Sequence, residues 1–484
     1  MRYAAFHAAS APSTPDTLQP TADCVTTTIA PSPPADPALP VTDAGLEHSH
    51  RIANLRGKTV AATAWTMGGH GAQQVLRLGG NLILTRLLTA DVFGLMTLVQ
   101  VSIRAVSFFS DLGVNQSIIR DKRGDDRRFL DTSWTIQIIR GNVIWLLAAL
   151  AAWPASLIYD TPELLYLIPI SALSAIIAGF NSTKLATLNR RLALGRLTLL
   201  DTLTQAAGLM VMVGIALYSP TVWALIAGGF VSSIGKLWIS HYVLPGDRNR
   251  FCWHRESVQE LVRFGRWVAV STACAFLLQQ GDKLIMGALV DRSTLGVYAV
   301  AYLLSQAVLE AQRTLGPRVL LPVYTQLLHH PTPTLRRKVL KLRIILLLLF
   351  VTPLLVMTLW GQQIVKALYT EPYHDAGWML QILAAGNIGS AINLSAGGVV
   401  LASGDSFRYM ILQVSRGVMM IAGMAIGFAF GGPIGLLVGM GASYWLNYPF
   451  LVWAIRRHGV WLPGLDAAVF AFSTVVAAIA YTLR

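Results

Sequence analysis

Long apolar runs alternate along this chain with short polar connections, and the runs share one length. A helix rises about 1.5 Å per residue, so roughly 20 mostly apolar residues cross the about 30 Å of hydrocarbon in a bilayer. Thirteen segments reach that length, near residues 60–86, 92–118, 133–157, 163–183, 197–218, 221–244, 264–290, 295–321, 342–360, 376–402, 407–429, 433–455 and 464–482. The pattern predicts an all-α polytopic membrane protein. Residues 1–56 differ. They are rich in Ala, Pro, Thr and Ser, as in APSTPDTLQP, and hold no long apolar core, which predicts a disordered tail rather than a signal peptide or a span.

The connections sort by charge. Positive residues stay on the cytoplasmic side of a membrane. Alternate connections, among them RDKRGDDRR, NRRLALGR and RRKVLKLR, hold 25 Lys and Arg, whereas the intervening ones hold only Arg86, Arg292, Lys366 and Arg484. A miscounted span would invert every later connection and spoil the alternation. The expected topology has a cytoplasmic N-terminus and a thirteenth span that leaves the C-terminus outside.

The chain also carries an internal likeness. Residues 79–98, GGNLILTRLLTADVFGLMTL, align without gaps on residues 281–300, GDKLIMGALVDRSTLGVYAV, so that Gly79, Leu82, Ile83, Leu87 and Gly94 fall on Gly281, Leu284, Ile285, Leu289 and Gly296. Six spans separate the copies, an even number, so the halves face the same way as parallel repeats about an axis along the membrane normal. The alternative is a chance likeness of two apolar helices. The expected organisation is a first half over 57–247, a second over 248–460, and an extra helix over 461–484.

Composition agrees with burial in lipid: 54% of residues are apolar, 13% are charged and the mean hydropathy is +0.54. The net charge of +14 does not imply a nucleic-acid partner, because the basic residues lie in short runs between spans and not in one patch. Cys24, Cys252 and Cys274 are scattered, with no metal-ligand spacing and no disulfide framework. No GxxxxGK[ST] loop is present, so ATP hydrolysis is not the expected drive, and no cofactor or enzymatic signature is implied.

Some charges have no topological role. With the basic residues counted to the connections and Arg2 of the tail set aside, eight of the 38 are left to the expected spans: Arg77, Arg104, Arg140, Lys236, Lys283, Arg313, Arg318 and Arg416. Each costs on the order of 2.5–3.5 kcal/mol at mid-membrane unless it is paired or faces water. Arg140, Lys236 and Arg318 are close enough to a cytoplasmic end to snorkel. Arg77, Arg104, Arg313 and Arg416 lie deeper, where a wet internal cavity accounts for them better. Gln73, Arg77 and Asn81 recur every fourth residue and make one polar helix face, with His70 and Gln74 beside it. At the corresponding repeat positions stand Gln279 and Lys283, flanked by Gln280 and Asp282. The acids within spans are Asp111, Asp201, Asp282 and Glu310, fewer than the bases, so the cavity is expected to be net positive. Glu310 and Arg313 are three apart and could simply pair, while Asp282 and Glu310 are also candidates for binding a coupling proton or sodium ion. A cationic, amide-lined cavity suits phosphate or carboxylate, with Arg able to make bidentate contacts.

The segments LGGNLILTRLLTADVFGLMTLVQ, FFSDLGVNQSIIR and QQGDKLIMGALVDRSTLGVYAVAYLL resemble the Wzx-type polysaccharide flippases of the multidrug/oligosaccharidyl-lipid/polysaccharide exporter superfamily, and the likeness extends over about residues 57–460. The resemblance implies two six-helix bundles around a central cavity, with the extra C-terminal helix as a departure from the usual twelve or fourteen spans. It implies a bacterial inner-membrane carrier that moves undecaprenyl-pyrophosphate-linked oligosaccharide to the periplasmic leaflet by alternating access, with Arg77, Arg104, Lys283 and Arg313 on the pyrophosphate. A polysaccharide polymerase and a chain-length regulator are the candidate protein partners. The competing readings are a drug antiporter of the same superfamily, which calls for an acidic and aromatic cavity, and a polysaccharide polymerase or ligase, which calls for a large outside loop. The longest outside connection, near GQQIVKALYTEPYHDAG, is short.

Overall fold

The computed structural model describes residues 68–482 except 70, 110–112, 121–122, 192–193, 316–319 and 329–331. The expected tail over 1–56, along with His70, Asp111 and Arg318, lies outside the described residues.

The described chain is all helical. A first helix, α1, covers 71–87 and is followed after a two-residue break by α2 (Ala90–Phe109). Then come α3 (Val114–Arg120), α4 (Arg127–Ile158), α5 (Leu164–Gly179), α6 (Lys184–Arg190), α7 (Leu194–Tyr218) and α8 (Val222–Tyr242). The later helices are α9 (Arg255–Leu289), α10 (Arg292–Leu315), α11 (Leu321–Leu327), α12 (Thr332–Leu368), α13 (Ala376–Ala402), α14 (Ser406–Leu446), α15 (Tyr448–Arg456) and α16 (Pro463–Thr482). Asp126 and Asp405 cap α4 and α14 by accepting from the backbone N–H of Arg128 and Arg408 at 3.2 and 3.1 Å, satisfying donors that a helix start leaves bare.

Nine of the described helical segments are long and apolar enough to cross a membrane, or ten if the bent pair α5 and α6 counts as one span. The remaining expected spans have physical explanations. The segment Phe407–Arg456 has 50 residues, about 75 Å of helix, which exceeds a bilayer more than twofold. It breaks at Gly431–Pro433, where Gly432 takes φ +55°, a left-handed conformation that glycine adopts without strain. The two arms then fold back on each other along a glycine seam: a Cβ on Gly427 would meet the Gly435 carbonyl, and one on Gly439 would meet the Gly423 carbonyl. α9 falls short on apolarity because it carries Gln279, Gln280, Asp282 and Lys283, and α1 begins at the edge of the described residues.

The internal likeness has a geometric counterpart. α2 and α10 cross so tightly that a Cβ on Gly94 would strike the carbonyl of Arg292, and a Cβ on Gly296 would strike the carbonyl of Ala90. Shifting by the repeat offset carries Gly94 to Gly296 and Ala90 to Arg292, so the two contacts exchange, as a two-fold relation between the repeats requires. Further contacts gather at the same end of the helices. The Tyr373 hydroxyl donates to Leu88 O at 2.9 Å, the Tyr369 hydroxyl donates to Asn81 Oδ1 at 3.1 Å, and Arg292 pairs with Glu163 at 3.1 Å. α13 occupies the interior, with 78% of its most apolar stretch buried, which its Ala, Gly and Ser content permits.

Two residues counted with cytoplasmic connections are instead buried. Arg343 is 1% exposed and donates from Nη2 to Asp466 Oδ1 at 2.6 Å, tying α12 to α16, while Tyr448 donates to the other carboxylate oxygen at 3.0 Å. Lys184 donates from Nζ to His241 O and Leu244 O at 3.1 and 3.0 Å, satisfying carbonyls at the end of α8. Lys236, expected to snorkel, pairs with Asp201 at 2.7 Å.

Candidate functional site

α1, α2, α9 and α10 surround a cavity of about 400 Å³. Each helix contributes residues at helical spacing, which is why side chains distant in sequence converge. α2 presents Thr97, Gln100 and Arg104, α9 presents Gln279, Gln280 and Lys283, and α10 presents Tyr302, Gln306, Glu310 and Arg313. α1 adds Arg77.

The electrostatic character follows from that lining. Four cations, Arg77, Arg104, Lys283 and Arg313, face one carboxylate, Glu310, so the cavity is positive. Glu310 stands 3.6 Å from Arg313, a loose pair at the cavity wall. Lys283 Nζ donates to Gln280 Oε1 at 3.1 Å and lies 4.3 Å from the centre of the Tyr302 ring, an arrangement that orients the ammonium without neutralising it. Arg77 and Arg104 make no ion pair among the described residues, and both side chains are exposed to the cavity.

The other residues singled out from the sequence lie elsewhere. Gln73 is half-buried on α1 one turn before Arg77, and Asn81, one turn after it, is held by Tyr369. Neither is part of the cavity lining. Asp282 is 4% exposed and accepts from the Tyr298 hydroxyl of α10 at 2.6 Å, outside the cavity lining. Arg416 donates to Ser390 Oγ at 2.6 Å and stacks over the Tyr444 ring at 5.4 Å, inside the second half. Thr97, Gln100, Tyr302 and Gln306 line the cavity but were not singled out. Their signal was present as spacing: Gln100 and Thr97 precede Arg104 by four and seven residues, and Gln306 and Tyr302 precede Arg313 by seven and eleven.

Residues 83–377, more than half of the chain, match the family described as polysaccharide biosynthesis protein. The lipopolysaccharide biosynthesis protein WzxC of Escherichia coli (strain K12) is 22% identical over 394 residues, covering 80% of this chain and 78% of that protein. The succinoglycan biosynthesis transport protein ExoT of Rhizobium meliloti (strain 1021) is 23% identical over 255 residues, 51% of this chain and 50% of that protein. Among solved structures, an inward-facing multidrug resistance MATE family transporter of the MOP superfamily matches with a TM-score of 0.61 at 15% identity, covering 80% of this chain and 94% of that one. The lipid II flippase MurJ in an inward closed conformation matches with a TM-score of 0.60 at 10% identity, covering 88% and 98%. The fold is thus that of the MOP transporters. The chain is a multi-pass membrane protein that belongs to the polysaccharide biosynthesis protein family.

Proposed function

We propose that this protein carries an isoprenyl-pyrophosphate-linked oligosaccharide from the cytoplasmic to the periplasmic leaflet of a bacterial inner membrane by alternating access. The observation that carries this reading is the cavity with four cations and one carboxylate. Uncompensated positive charge at bilayer depth is expensive unless it is hydrated or meets an anion, and a pyrophosphate is an anion suited to several Arg and Lys at once. The family and the names of its relatives support a sugar-bearing substrate. A cavity so basic disfavours the export of cationic drugs, and short outside connections disfavour a polymerase or ligase.

In this reading Arg77, Arg104, Lys283 and Arg313 bind the pyrophosphate. Gln279 lines the chamber beside them, Gln73 and Asn81 support Arg77 from one turn to either side on α1, and Arg416 braces the second half through Ser390. Asp282 and Glu310 are the carboxylates that would take a coupling ion. The halves over 57–247 and 248–460 rock against each other with the N-terminus in the cytoplasm, and the helix over 461–484 rides with the second. A polymerase and a chain-length regulator would receive the product outside. The test is delivery of lipid-linked sugar to the outer leaflet by Arg77→Ala and Lys283→Ala proteins that insert at parental levels. Loss of delivery with accumulation in the inner leaflet supports the reading, and parental delivery by both variants refutes it.

A further inference from the structure

Beside the central cavity lies a second one of about 320 Å³, formed within the first half by α2, α5 and α8. The two share Gln100 and Arg104, so the chambers meet at these side chains. Building on the pyrophosphate reading of the central cavity, we propose that the side pocket receives the sugar ring directly attached to the pyrophosphate.

Only two groups flank the phosphates of such a substrate, an isoprenyl chain and the first sugar, and the pocket's chemistry discriminates between them. An isoprenyl chain calls for an apolar wall. This pocket sets Gln100, Arg104 and three serines, Ser171 and Ser174 on α5 and Ser233 on α8, among Met96, Ile103, Leu225, Ile226 and Phe230. The Ser174 and Ser233 hydroxyls, which donate to Ser171 O and Gly229 O at 2.7 and 2.9 Å, keep their oxygens as acceptors, a mixture that suits a ring with hydroxyls at its edge and C–H groups on its faces. Ser171 is 8% exposed, and its hydroxyl is buried without any hydrogen-bond partner in the protein. Such a group carries a desolvation cost, as do several others among the described residues, Ser133 and Ser473 included, and rotation of the Ser171 side chain toward the chamber it lines would let a ligand hydroxyl relieve that cost. The volume is at the low end for small-ligand sites, which fits one ring and not a branched repeat unit. Arg104 at the junction then contacts phosphate while its neighbours on α5 and α8 read the sugar.

Gly229 supplies the means of testing this, because it lines the pocket and a Cβ built on it would meet nothing within 4 Å. Gly229→Phe should fill the chamber without disturbing the helix, and Gly229→Ala controls for the loss of glycine. The full-length protein in lipid nanodiscs is titrated with undecaprenyl pyrophosphate, bare or bearing one glucose, galactose or N-acetylglucosamine. The parent and Gly229→Ala are expected to bind at least one glycosylated lipid about tenfold more tightly than the bare one, as one or two added hydrogen bonds provide. Gly229→Phe is expected to lose that preference while keeping its affinity for the bare lipid. Retained preference in Gly229→Phe overturns the proposal, as does a parent that binds all four lipids equally. Equal weakening of bare and glycosylated lipids by Gly229→Phe overturns it in favour of the isoprenyl chain. These three outcomes leave the central-cavity reading intact, whereas a parent that binds none of the lipids removes both.

Discussion

Arg343 and Arg104 are both arginines of long apolar helices, and the protein accommodates them in opposite ways. Arg343 is sealed against Asp466, at 1% and 0% side-chain exposure, with Tyr448 completing the carboxylate's contacts. Arg104 has no ion-pair partner among the described residues and opens onto two chambers. Although Arg343 Nε and Nη1 have no hydrogen-bond partner among the described residues, a cation sealed against a fixed carboxylate is closed to a ligand. A cation left to water stays open to one, so the difference separates a structural clamp from a binding group even though both are arginines in apolar sequence.

The largest effect expected from this contrast is at the clamp. Removing one partner of a buried pair leaves a bare charge and costs about 3–5 kcal/mol, so Asp466→Ala should sharply lower the unfolding temperature and the yield of membrane-inserted protein. Arg343→Met combined with Asp466→Leu should recover most of that loss. Arg104→Ala should do the reverse, leaving the unfolding temperature near the parent's while weakening binding of undecaprenyl pyrophosphate about ten- to hundredfold, since a charge-assisted contact is worth about 1.5–3 kcal/mol. Destabilisation by Arg104→Ala as severe as that by Asp466→Ala would abolish the distinction.

Smaller effects are expected where the halves meet around Gly94 and Gly296. Tyr373→Phe deletes the hydrogen bond to Leu88 O, worth about 1 kcal/mol, and spin-label distances across that end should show an open population raised by about fivefold. The Glu163 carboxyl is held below its ordinary value of 4.5, chiefly by a backbone N–H and, against an opposing effect of burial, by Arg292. An acid with a lowered pKa contributes its stabilisation above the ordinary value and loses it as pH falls through the lowered one. The Glu163–Arg292 contact should therefore hold at pH 7 and weaken only below about pH 4.5, shifting the balance between the same closed and open populations by less than about 1 kcal/mol because the pair is partly solvated. Glu163→Gln should remove the pH response.

Much of this was legible in the sequence because the bilayer imposes a length on every span. The helices follow the apolar runs closely, and the repeat registered by Gly94 and Gly296 became a reciprocal contact. What the sequence concealed was partnership across long separations. Arg343 reads as one more basic residue of RRKVLKLR, and nothing nearby announces Asp466, 123 residues later. Asp282 and Lys283 are neighbours on α9, but the turn of about 100° per residue sends Lys283 to the cavity and Asp282 to Tyr298. Four of the cations expected to line a cavity do so together, and Gln100, Tyr302 and Gln306 went unremarked because amides and tyrosines cost too little in an apolar run to draw notice.

The most direct test of a wet, anion-binding chamber is thiol labelling of Gln100→Cys in full-length protein with Cys24, Cys252 and Cys274 replaced by serine. A membrane-impermeant maleimide should label this position from the aqueous phase, and undecaprenyl pyrophosphate should protect it. Absence of labelling, or labelling that the lipid leaves unchanged, would contradict the account.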